Sequence, residues 1–144
     1  MITFYCPRCW STIGEDAPRC PHCGIEIARW LQEHDYTAKL IAALRHPEPT
    51  TPVRAAEILG LLGTQLAVPA LLALAESDAD IYQRAAAITA LGRIGDPRAE
   101  SALLRIASDG PAVLRGPAQA ALSRLRVRSP AGLPPADDPD DGRE

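Results

Sequence analysis

Aromatic residues are scarce. One Phe, three Tyr and two Trp make up 4% of 144 residues, and there is a single Met. A β-sandwich core, which leans on aromatic and β-branched side chains, is therefore disfavoured. With 47% hydrophobic residues the core must come from Ala, Leu, Ile and Val, a palette suited to closely packed helices. Broad basic charge is also missing. The net charge is −3, and residues 129–144 hold Asp137, Asp138, Asp140, Asp141 and Glu144 against Arg143 alone, so the rest is near neutral. That balance argues against a nucleic-acid surface. The first residues lack a basic start followed by an apolar run, so the expected location is the cytoplasm. Residues 58–75 are uncharged, but Gly60, Gly63, Thr64, Gln65 and Pro69 interrupt them, so no membrane span is expected. No catalytic constellation is present, and the chain reads as a non-enzyme.

What is present is a repeat. Leu59-Gly60 with Gly63 recurs as Leu91-Gly92 with Gly95, and Leu71-Leu72 recurs as Leu103-Leu104, all at an offset of 32. A fixed period of this size marks stacked units that cannot bury their apolar faces alone. The clearest unit has a helix over 81–94, a Gly95-Asp96-Pro97 turn and a helix over 98–107. Gly95 can end the first helix left-handed, Asp96 can cap the second, and Pro97 can start it. The preceding unit has a helix capped by Thr51 and running to Leu62, a turn at 63–65 and a helix over 67–76. Asp35 caps an earlier helix over 36–44, half of an atypical first unit, which His46-Pro47-Glu48-Pro49 stops. His46 at that helix end reads as a structural, partly charged imidazole. Asp80 and Arg84 are spaced to pair. A last helix begins near Ala112 or after Pro117 and ends near Val127. Residues 129–144, rich in Pro and Asp, are expected to be disordered.

All four cysteines lie at the start, as Cys6-x-x-Cys9 and Cys20-x-x-Cys23. Each Cys-x-x-Cys turn can aim two sulfurs at one ion. Two disulfides, an iron site of the same geometry and a thioredoxin-like redox motif are the alternative chemistries of four such thiols. His22 lies inside the second knuckle and reads as exposed. Gly24 allows the positive φ at the exit of that knuckle.

Residues 1–27, with Cys-Pro-Arg-Cys and Cys-Pro-His-Cys-Gly, resemble the zinc-ribbon family, with Trp10 standing where the first knuckle usually has Gly. The resemblance implies one structural Zn2+ held by Cys6, Cys9, Cys20 and Cys23, with residues 25–27 as a closing strand. The run Arg-Ala-Ala-Ala-Ile-Thr-Ala-Leu-Gly-Arg-Ile-Gly-Asp-Pro-Arg-Ala (84–99) resembles short bacterial HEAT-like repeats, first named from phycobilisome lyases. It implies a mainly α fold, a short solenoid of antiparallel helix pairs.

The expected organisation is a zinc ribbon (1–27), a connector (28–35) in which Trp30 and Leu31 dock the ribbon, HEAT-like repeats (36–128) and an acidic tail (129–144). The expected function is a protein–protein interaction module, an adaptor or accessory protein. The alternatives are a nucleic-acid-associated zinc-ribbon protein and a bilin-lyase-related protein. Candidate partner-binding residues are Arg98 and Arg105, on the second helix of a pair, and Leu122 and Leu125, at the open C-terminal end, where a second copy could also pack.

Overall fold

The structure, a computed structural model, describes residues 2–128; the acidic tail read above lies outside the described residues. A two-stranded antiparallel sheet, β1 (Phe4–Tyr5) and β2 (Thr12–Ile13), opens the chain, with Phe4 opposite Ile13 and Tyr5 opposite Thr12. Seven α-helices follow among the described residues: α1 (Ile27–Glu33), α2 (Tyr36–Ala43), α3 (Thr50–Leu62), α4 (Val68–Glu76), α5 (Ile81–Ile94), α6 (Glu100–Asp109) and α7 (Ala112–Arg128). Helices α3, α5 and α7 pack side by side in one row, while α2, α4 and α6 lie against α3, α5 and α7 respectively. This is the short α-solenoid that the repeat implied.

The core runs between the two rows. Leu59, Leu71, Ile88, Leu91, Leu103 and Leu114 are fully buried, and none is aromatic. The recurring glycines serve two different ends. Gly63 (φ 66°) and Gly95 (φ 73°) close α3 and α5 in the left-handed conformation, where a side chain would be strained. Gly60 and Gly92 instead let neighbouring helices approach. A Cβ at Gly60 would stand 2.9 Å from the Cα of Ala90, and one at Gly92 would stand 2.8 Å from the Cα of Ala121. Ala90-Leu91 recurs as Ala121-Leu122, so each repeat supplies an alanine for the glycine of the one before.

Asp96 caps the turn after α5 as read, but that turn is a short 3-10 helix, Pro97–Ala99, and α6 itself spans Glu100–Asp109 in place of 98–107. Asp96 Oδ1 accepts from the Arg98 amide at 2.9 Å, and the Arg98 guanidinium returns to the same carboxylate at 2.9 Å. The Arg98 side chain, together with its amide, holds the Asp96 carboxyl below its ordinary range, against the opposing effect of burial. The sign follows. Asp96 stabilises the fold above the ordinary carboxylate pKa of about 3.9, and the contribution disappears as pH falls through the lower folded value. Asp96→Ala is expected to cost about 1–2 kcal/mol at neutral pH, the range for a lost cap, and much less near pH 2. Urea titrations at the two pH values measure it, and an equal loss at both would contradict the assignment.

Other local expectations need correction. Helix α3 starts at Thr50, with Pro49 already in helical backbone and no side-chain cap, so Thr51 lies inside the helix. The expected Asp80–Arg84 pair is replaced by two separate jobs. Asp80 caps the amides of Tyr82 and Gln83, and Arg84 Nε donates to the Ala75 carbonyl at the end of α4. Of the two starts read from the sequence, α7 takes the earlier, beginning at Ala112 and continuing through Pro117. The closing strand over 25–27 shrinks to one bridge between Arg19 and Glu26, because Ile27 starts α1. The connector is thus largely helical.

Candidate metal centre and the cleft beside it

The two Cys-x-x-Cys knuckles fold alike. In the first, Trp10 N donates to the Cys6 carbonyl at 2.9 Å; in the second, Gly24 N donates to the Cys20 carbonyl at 3.0 Å. Both residues have positive φ, 59° for Trp10 and 78° for Gly24. The knuckle geometry therefore persists without glycine, and Trp10 carries a left-handed strain of about 1–2 kcal/mol.

The four sulfurs lie within 4.8 Å of one another. Cys6 Sγ to Cys23 Sγ and Cys9 Sγ to Cys20 Sγ are each 3.6 Å. A disulfide needs about 2.05 Å, so all four are thiols. Tetrahedral zinc with Zn–S near 2.3 Å would put sulfurs about 3.8 Å apart, so the cage fits a metal ion of that size. Around it the thiols differ. Burial pushes Cys6 up to about 12. The side-chain and backbone hydrogen bonds of Ser11 bring Cys9 down to about 6. At Cys20 burial acts upward, but the amides of Cys23 and His22 prevail and lower it. The His22 amide lies 3.4 Å from Cys20 Sγ, while the His22 side chain stays exposed, as read.

Trp10 also joins the ribbon to the repeats. Its indole Nε1 donates to the Ala42 carbonyl at 3.0 Å. Its ring meets His46 edge-on at 4.6 Å, and Tyr5 meets the same imidazole at 4.9 Å. His46 Nδ1 accepts from the Glu48 amide at 3.0 Å, and burial lowers its pKa, so a neutral imidazole replaces the partly charged one expected at a helix end. Trp30 and Leu31 add no ring contact or side-chain hydrogen bond to this joint, although Trp30 lines the cleft beside it with Pro7 and Arg8. Trp30 stacks on His34 at 3.9 Å, and Leu31 is 43% exposed. The scarcity of aromatics was the available signal: Tyr5 and Trp10 flank the first knuckle, and they are the side chains that dock. Trp10→Gly would keep the turn but remove about 2–3 kcal/mol of ring contact and hydrogen bonding. Hydrogen exchange at Arg45 to Glu48 is expected to speed up while α5 stays protected; unchanged protection would place the joint elsewhere.

Beside this joint lies a cleft of about 780 Å³. Its floor is α2 and α4, through Ala38, Ile41, Ala70, Ala73 and Leu74. The ribbon contributes Pro7 and Arg8, and α1 contributes Trp30 and His34. The sequence-predicted partner residues lie elsewhere. Arg98 is tied to Asp96 and to the Gln65 carbonyl, and Arg105 to Glu76. Leu122 and Leu125 are only 6% and 5% exposed, in the core that α7 shares with its neighbours, so neither forms an open apolar end. Large apolar side chains stand exposed elsewhere on the surface, Leu61, Leu62, Leu66 and Tyr82 among them, and Leu61 and Tyr82 line one groove between α3 and α5. Among the described residues no helix is long and apolar enough to cross a membrane.

Comparison with known proteins agrees with this architecture. The family model described as HEAT repeats matches residues 37–123. The bilin biosynthesis protein PecE of Nostoc sp. is 38% identical over 112 residues, a match covering 71% of this chain and 44% of that protein. The chain thus spans less than half the length of the curated relative it matches.

Proposed function

Because the chain belongs to the HEAT-repeat family, we propose that it is a non-enzymatic protein–protein interaction module, an adaptor or accessory protein of the cytoplasm, built on a structural zinc ribbon. The observation that carries this reading is the groove between α3 and α5, where Leu61 and Tyr82 are 74% and 77% exposed. Large apolar side chains left in solvent on a repeat surface favour a protein partner. The ribbon supplies four sulfur ligands and leaves no open position, so its zinc would act in folding. Residues 1–27 set Glu15, Asp16 and Glu26 against Arg8 and Arg19, and Arg29 on α1 pairs with Glu33 at 2.7 Å, so no net basic patch favours nucleic acid.

The immobilised full-length chain is expected to retain a specific partner from its native host, and a Leu61→Glu, Tyr82→Glu double variant to lose it. Equal retention by both would remove this face from the reading. Metal analysis should find one zinc per chain.

A second reading draws on the 38% identity to a bilin biosynthesis protein. Here the chain would handle a bilin. Incubation with a bilin should then change its visible absorption, and an unchanged spectrum would exclude binding.

A further inference from the structure

We propose that the cleft between the ribbon and the repeats is a small-molecule site for an apolar body carrying a single acidic group. This inference is independent of both readings above. The volume of about 780 Å³ lies within the range of about 300–1,000 Å³ usual for such sites. The space has an identifiable origin. Ala73 on α4 corresponds to Arg105 on α6, at the repeat offset of 32, and Arg105 covers its helix by pairing with Glu76. With only a methyl at position 73, and with Ala38 and Ala70 nearby, the same face of α4 stays open.

Charge selects the ligand. Arg8 and Arg45 stand at the cleft, and no described residue that lines it is acidic. Neither arginine forms an ion pair among the described residues. Arg45 is held across the seam between ribbon and α2 by a 3.4 Å hydrogen bond to the Arg8 carbonyl, which leaves the rest of its guanidinium free to meet an anion. In a chain of net charge −3, two cations beside an apolar floor suit a carboxylate or sulfonate on a hydrophobic body. The stacked Trp30–His34 pair gives that body a flat wall.

The test uses the full chain and 1-anilinonaphthalene-8-sulfonate, read by energy transfer from tryptophan. One equivalent is expected to bind, to be displaced by dodecanoate, and to resist dodecyltrimethylammonium. Arg45→Gln, at an exposed position, should weaken dodecanoate about tenfold with unchanged circular dichroism. Ala73→Trp, also exposed, should fill the floor and abolish binding. The proposal is overturned if no stoichiometric binding occurs, if Ala73→Trp binds as the wild type does, or if the carboxylate and the ammonium displace the reporter equally.

Discussion

Cys20→Ser is expected to unfold the ribbon and leave the repeats standing. Among the described residues before α1, only Cys6 and Cys20 are buried. The ribbon therefore has no hydrophobic core apart from its own candidate ligands, and about two dozen residues cannot bury enough apolar surface to fold unaided. A structural zinc site contributes on the order of 10 kcal/mol or more in small peptides, far above the roughly 2–3 kcal/mol of the Trp10 joint. Losing one of four thiolates should thus release Tyr5 and Trp10 from His46. The repeats bury their leucines without any ribbon side chain in the central cluster, so they should persist. Far-ultraviolet circular dichroism should keep most of its helical signal, while Trp10 emission shifts to the red. A strong chelator should reproduce the change in the wild type. Persistence of the ribbon's amide protection in the chelated protein would reject a structural metal there.

Gly92→Val should produce the largest loss within the repeats, about 3 kcal/mol or more. The new Cβ would sit 2.8 Å from both the Cα and the Cβ of Ala121. The Cα cannot swing away as a side-chain tip can, so α5 and α7 would have to separate. Overpacking of this kind costs about 1–3 kcal/mol for added methylenes, and a branched side chain adds to it. Helix propensity opposes this only weakly, since Val is a poor helix former that sits a few tenths of a kcal/mol above Gly. The denaturant midpoint of the variant decides the matter. A Gly92→Val protein as stable as the wild type would mean that α5 and α7 do not approach as described.

The repeat was legible because its signals are local. Helix α5 spans Ile81–Ile94 as read, since Asp80 caps its first turn and Gly95 ends it, all within hydrogen-bonding reach along the chain. Asp35 caps α2 for the same reason, through the Ala38 amide at 2.8 Å. The expectations that failed, the Thr51 cap and the Asp80–Arg84 pair, were those with competing partners nearby. Pro49 entered the helix ahead of Thr51, and Arg84 found the end of α4 before it found Asp80.

Trp10 shows the limit. The sequence marked it as a departure from the ribbon pattern, yet its use depends on Ala42 and His46, more than thirty residues away. Leu122 and Leu125 show the same limit from the other side. Their spacing places them on the apolar face of the last helix, but only the packing of α7 on α5 and α6 decides that this face is covered.

By itself, then, the sequence determined the repeat period, the glycine ends of the helices and four thiols at metal-binding spacing. Those features rest on bonds between residues a few positions apart. Only the tertiary structure decided that Gly92 is a point of helix contact, that Trp10 is the joint and that Ala73 opens a cleft. Each of these depends on what a distant segment brings to within a few ångströms, and the identity of the residue alone does not specify that neighbour.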